Sequence, residues 1–146
     1  MATKIFVNLP VKDLNRSIEF FTKLGFQFNQ QFTDEKATCM VITEDIYAML
    51  LVERFFQGFT KIEVTDTSKS REVIVALSAD SREAVDELAD KALAAGAAFA
   101  NEPMDQDFMY GRSFIDPDGH MWEVFFMDPS VIEHGQGQAV SEEAGA

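Results

Sequence analysis

The feature that most constrains this chain is a pattern that occurs twice. Near the start, Ile5, Val7, Leu9 and Val11 alternate with Phe6, Asn8 and Pro10, the period of a strand. Asp13 then caps a helix over Leu14 to Leu24, with Leu14, Ile18, Phe21 and Leu24 three or four apart and Gly25 at its end. Three strands follow, Phe26 to Phe32, Ala37 to Thr43 and Tyr47 to Glu53, separated by acidic polar turns. After a polar connector the order returns. A strand runs from Glu72 to Ala79, and Ser81 caps a helix to about Ala95 that Gly96 closes. Strands then cover Ala97 to Asn101, Phe108 to Ile115 and His120 to Met127, the last two joined by the turn Asp116-Pro117-Asp118-Gly119. Each half reads β-α-β-β-β, a tandem repeat with a period of about 70 residues.

The pattern implies an α+β domain over residues 1–128. Module one spans 3–53, a connector 54–70 and module two 71–128; a Gly-, Gln- and Glu-rich tail, 129–146, is expected to be flexible. A single helix covers one face of each sheet. The opposite faces are left to form a cleft between two curved, mostly antiparallel modules. Residues on those open faces are expected to be Phe6 and Asn8 in the first strand, Ala48, Leu50 and Val52 in the fourth, and Glu72, Ile74 and Ala76 in the fifth. In the last strand Met121, Glu123, Phe125 and Met127 share one side. Glu123 is then a carboxyl group inside an apolar run, costly unless paired, protonated or bound to a metal. Two readings stand: a strand-end partner for Arg112, or a pocket acid. Tyr110 and Arg112, flanking Gly111, either clamp a ligand or cover the surface, and Phe108 stands at the start of their strand.

Lys and Arg total 12 against 25 Asp and Glu, a net charge of −13. That field repels phosphate backbones and anionic membranes, so neither nucleic acid nor membrane is an expected partner. No apolar run approaches the length of a membrane span, the N-terminus lacks a signal-peptide pattern, and the lone Cys39 suits a reducing compartment; the cytoplasm is the expected location. Cys39 reads as a buried inert thiol, His120 as the end of the hairpin turn, and His134 as a solvated tail residue. Fourteen Phe and the methionines exceed ordinary core needs and suit a pocket for a small, partly apolar molecule.

The two β-α-β-β-β units, the opening Leu9-Pro10-Val11-Lys12-Asp13-Leu14-Asn15-Arg16-Ser17 with Phe20-Phe21 and Leu24-Gly25-Phe26, and the closing Asp116-Pro117-Asp118-Gly119-His120-Met121-Trp122-Glu123 resemble the vicinal oxygen chelate superfamily. That group includes glyoxalase I, bleomycin-resistance proteins and extradiol dioxygenases. The resemblance covers roughly residues 3 to 128. It implies a small-molecule pocket, commonly in a homodimer that pairs modules within a chain or exchanges them. In metal-dependent members four inward positions hold His, Gln or Glu. Here they fall on Phe6, Leu50, Ile74 and Glu123, with Asn8 and Glu72 nearby, so only Glu123 keeps a ligand type. No cofactor is therefore expected, and the implied function is metal-free binding of a small molecule. The alternative is a divalent-metal lyase or isomerase of the glyoxalase I type, with Glu123 as ligand or base and Glu72 as a second candidate ligand.

Overall fold

A computed structural model describes residues 3–130. Module one comprises β1 (Ile5–Val11), α1 (Leu14–Leu24), β2 (Gln27–Asn29), β3 (Ala37–Val41) and β4 (Ile46–Val52). A short helix, α2 (Glu53–Gln57), opens the connector. Module two comprises β5 (Ile74–Ser78), α3 (Arg82–Ala94), β6 (Ala98–Phe99), β7 (Met104–Asp105), β8 (Met109–Ile115) and β9 (Met121–Met127). The β-α-β-β-β order is present in module one, and module two has it with the two-residue β7 inserted between β6 and β8. The second strand is shorter than expected, because Gln30–Phe32 form a 3₁₀ turn. The expected tail, with His134, lies outside the described residues from 131 onward.

The helices begin where the side chains dictate. The Asp13 carboxylate accepts from the Arg16 backbone N–H, and the Ser81 hydroxyl accepts from that of Ala84; each satisfies a donor that the first turn leaves free. Gly25 and Gly96 follow at φ 106° and 108°, the left-handed region that glycine enters without penalty.

The strands form two sheets rather than one. The first has the order β1-β4-β3-β2, and the second β5-β9-β8-β6 with β7 also paired to β8. In each, the first strand runs parallel to the last and the others are antiparallel. Among the described residues β1 and β5 are consequently free edges. The helix-facing sides of both sheets share one core. Leu9, Val11, Phe20, Phe21, Met40, Ala48 and Leu50 of module one pack with Ala92, Phe114 and Trp122 of module two. The Phe21 ring lies 5.2 Å from Trp122, and Phe20 lies 6.2 Å from Phe114. Burying each such side chain contributes about 1.5–3 kcal/mol. Both open faces are thus turned away from a common interior.

One expectation about faces is corrected here. Ala48, Leu50 and Val52 point into the core, with Leu50 only 1% exposed. The β1–β4 register pairs Phe6 with Tyr47 and Asn8 with Met49, so Tyr47 and Met49 share the open face with Phe6 and Asn8.

Candidate functional site: a half-open cavity around Glu123

The site rests on a hairpin held from behind. In the turn between β8 and β9, one Asp116 oxygen accepts from the backbone N–H groups of Asp118 and His120 at 2.9 and 3.0 Å. The other accepts from the Trp122 indole N–H at 2.9 Å. Burial pushes the Asp116 carboxyl up, while His120 and these donors pull it back. Asp118 reaches the other module: its carboxylate accepts from the Lys12 backbone N–H at 2.8 Å, the Arg16 guanidinium at 3.0 Å and the Ser17 hydroxyl at 2.9 Å. The opening and closing sequence motifs are therefore each other's binding partners.

His120 does more than end the turn. It is buried; Nε2 donates to the Pro10 carbonyl at 2.6 Å, and Nδ1 lies 2.8 Å from Glu72 Oε1. Glu72, expected as a second ligand beside Glu123, is instead the partner of this cross-module histidine.

β8 and β9 divide their residues by parity. On the helix side, Tyr110 and Arg112 turn to α3. The Tyr110 hydroxyl donates to Asp86 at 2.5 Å, and Arg112 pairs with Asp86 at 3.0 Å and Asp90 at 2.8 Å. The Tyr110 bond, then Arg112, hold the Asp86 carboxyl below its usual range despite partial burial. These corrections remove Tyr110 and the Arg112 guanidinium from the open face, and Arg112 is not the partner of Glu123.

On the open side the register sets rows across the strands. Ala76, Glu123 and Ser113 form one row. Phe125, Gly111 and Met104 form the next, and Met127 and Met109 the third. Directly opposed residues have Cβ atoms about 4.5–5.5 Å apart. Ala76 and Ser113 are too short to cover the Glu123 carboxyl group, and Gly111 leaves the second row open. The result is a cavity of about 300 Å³, lined on this face by Ala76, Gly111, Ser113, Glu123, Phe125 and the three methionines, with Asn101 and Glu102 at its rim. Glu123 is partly buried, and its carboxyl group has no hydrogen bond or ion pair among the described residues. The Ser113 hydroxyl accepts from the Asn101 backbone N–H at 3.1 Å.

Of the residues expected at the pocket, Glu123 and Phe125 meet at this cavity, and Arg112 also lines it although its guanidinium turns to α3. Ile74 and Met121 share its face one row beyond Glu123 and do not line it. Phe108 is exposed ahead of β8, also outside the lining. Phe6 and Asn8 lie on the open face of module one, where Phe6 stacks on Tyr47 at 4.8 Å, and Leu50 is core. The cavity belongs to module two alone. Sequence reasoning places Met127 on the Glu123 face and gives the methionines to a pocket in general, but passes over Gly111 and Ser113 as site residues. Their only signal was a row of small residues beside long flexible ones.

A transition metal wants three or four good donors. Glu123 has Ala76 and Ser113 as row neighbours, and no group of three or more His, Cys, Asp and Glu is placed to hold a metal among the described residues. The donor set does not fit such a metal.

The sequence matches the model of the Glyoxalase/Bleomycin resistance protein/Dioxygenase superfamily over residues 5–124, and the chain belongs to that family. Its fold is similar to that of hypothetical protein SA1046 from S. aureus, at 29% identity and a TM-score of 0.73, covering 86% of this chain and 94% of that one. It is also similar to a glyoxalase/bleomycin resistance protein/dioxygenase family enzyme from Burkholderia phytofirmans PsJN, at 20% identity and a TM-score of 0.71, covering 86% and 99%. The fosfomycin resistance protein FosX from Mesorhizobium loti shares the fold at 14% identity and a TM-score of 0.64, covering 90% and 97%. No curated protein matches the sequence. No helix among the described residues is long and apolar enough to cross a membrane.

Proposed function

We propose that the chain binds a small, largely apolar molecule bearing a positive charge, held in the Glu123 cavity without a metal. The observation that carries this reading is a carboxyl group with no protein partner among the described residues, set in a cavity walled by Phe125, Met104, Met109 and Met127. An ammonium group supplies the partner that such a carboxylate lacks, and methionine walls adapt to varied apolar bodies. The net charge of −13 attracts cations over a longer range.

Two copies of the chain assemble around this site. β1 and β5 are free edges, and Ile5, Phe6 and Ile74 beside them are about half exposed. Pairing β1 of one copy with β5 of the other covers both edges.

The test is calorimetric titration with 2-phenylethylammonium and with neutral 2-phenylethanol, on wild type and Glu123→Gln. A charge-assisted bond of about 1.5–3 kcal/mol predicts that the ammonium loses roughly 10- to 150-fold in affinity while the alcohol is unchanged. Equal affinities in the two proteins would overturn the reading. Stoichiometric uptake of Ni, Zn, Mn or Fe(II) that vanishes in Glu123→Gln would overturn it in favour of a metal-dependent lyase.

A further inference from the structure

We infer that Gly111 is the specificity-determining residue of the cavity and selects a flat ring, one row along the sheet from the charged end of the ligand. This rests on the binding reading above and adds the shape of what is bound. In the second row Gly111 stands on β8 between Phe125 of β9 and Met104 of β7. Outer strands of such a trio lie about 9.5 Å apart, so a missing side chain on the middle strand leaves a slot floored by backbone. A planar ring laid there meets peptide below, the Phe125 ring on one side and the Met104 thioether on the other, with Met109 and Met127 closing the end; sulfur and aromatic edges attract one another. Glu123 is one row away, two residues along β9, or about 6.6 Å. The ligand class is then an aromatic ring joined to an ammonium by a short linker.

Nothing in the backbone demands glycine at this position. Gly111 is not among the glycines with positive φ, and a Cβ there would meet Phe125 Cβ at 3.5 Å and the Val124 carbonyl at 3.6 Å, ordinary contacts. A side chain can be added without unfolding the strand, and it fills the slot. A glycine also costs a strand conformational entropy. Its presence where no turn requires it is explained by the room it leaves.

The experiment compares 2-phenylethylammonium with 2-cyclohexylethylammonium, equal in charge and linker but flat in one case and puckered in the other. Each is titrated into wild type, Gly111→Ala and Gly111→Val, with urea unfolding of each apo protein alongside. The expected result is tighter binding of the phenyl compound by wild type, a graded loss through Ala to at least about tenfold in Val, and apo stability unchanged or raised. Equal binding of the two rings by wild type, or full retention in Gly111→Val, overturns the inference while the Glu123 dependence stands. Binding of neither amine by wild type overturns the underlying reading, and this inference with it.

Discussion

Removing one oxygen pair, in Asp118→Ala, should loosen one module from the other. The Asp118 side chain is 3% exposed, and its carboxylate accepts from Lys12 N–H, Arg16 and the Ser17 hydroxyl. The three losses are unequal. Arg16 is 45% exposed, so its guanidinium turns to water and the cost of that exposed half is small. Ser17 is buried but still donates to the Asp13 carbonyl at 3.3 Å. The Lys12 N–H has no second acceptor among the described residues. Two charge-assisted bonds at about 1.5–3 kcal/mol each, one of them leaving a buried donor orphaned, give a loss of about 3–6 kcal/mol. For a domain of this length that lowers Tm by roughly 10–20 °C. Asp118→Asn keeps an oxygen for Lys12 and should lose only about 1–2 kcal/mol. The single, buried Trp122 is a convenient fluorescent reporter for urea unfolding. A loss below about 1 kcal/mol in the alanine variant would refute the view that this turn clasps the modules together.

Two further outcomes follow from the same geometry. Gly119→Ala should cost about 2–3 kcal/mol by urea unfolding, since φ is 85° and a Cβ would clash with Thr67 Oγ1, displacing the Thr67 bond to the Asp118 carbonyl. Adding Thr67→Ala should return part of that loss. Sedimentation velocity should show a dimer for wild type and a monomer for Phe6→Lys with Ile74→Lys, as both lie at the free edges; a monomeric wild type would refute edge pairing.

The parts of the fold that the sequence made legible are those written in local chemistry. Asp13, Ser81, Gly25 and Gly96 bound their helices through hydrogen bonds and backbone freedom that depend on near neighbours alone. The faces of the strands were legible only where one side is polar. From Tyr47 to Val52 both sides are apolar, so alternation could not say whether Leu50 or Met49 enters the core; the parallel register with β1 decides it. Tyr110 and Arg112 face α3 because Asp86 and Asp90, one helical turn apart, wait there, a spacing present in the sequence but meaningful only once α3 lies on β8. β7, two residues long, is below the length at which any period speaks. The cavity was hardest to foresee, because it is made by what Gly111, Ser113 and Ala76 lack.

The same parity that hid the site separates stability from recognition. Phe114, Trp122 and Val124 alternate along β8 and β9 with Gly111, Ser113, Glu123 and Phe125, the first set buried against helices and core, the second lining the cavity. The stretches that carry the family resemblance, Leu9 to Phe21 and Asp116 to Glu123, join the modules through Asp118, His120 and Trp122. Glu123 alone among them faces the cavity. Substitutions on the open face can therefore change what is bound with little effect on what is folded, because a strand sends successive side chains to opposite sides. Family membership accordingly fixes the architecture of this chain, while the proposed ligand rests on open-face residues that those stretches barely touch.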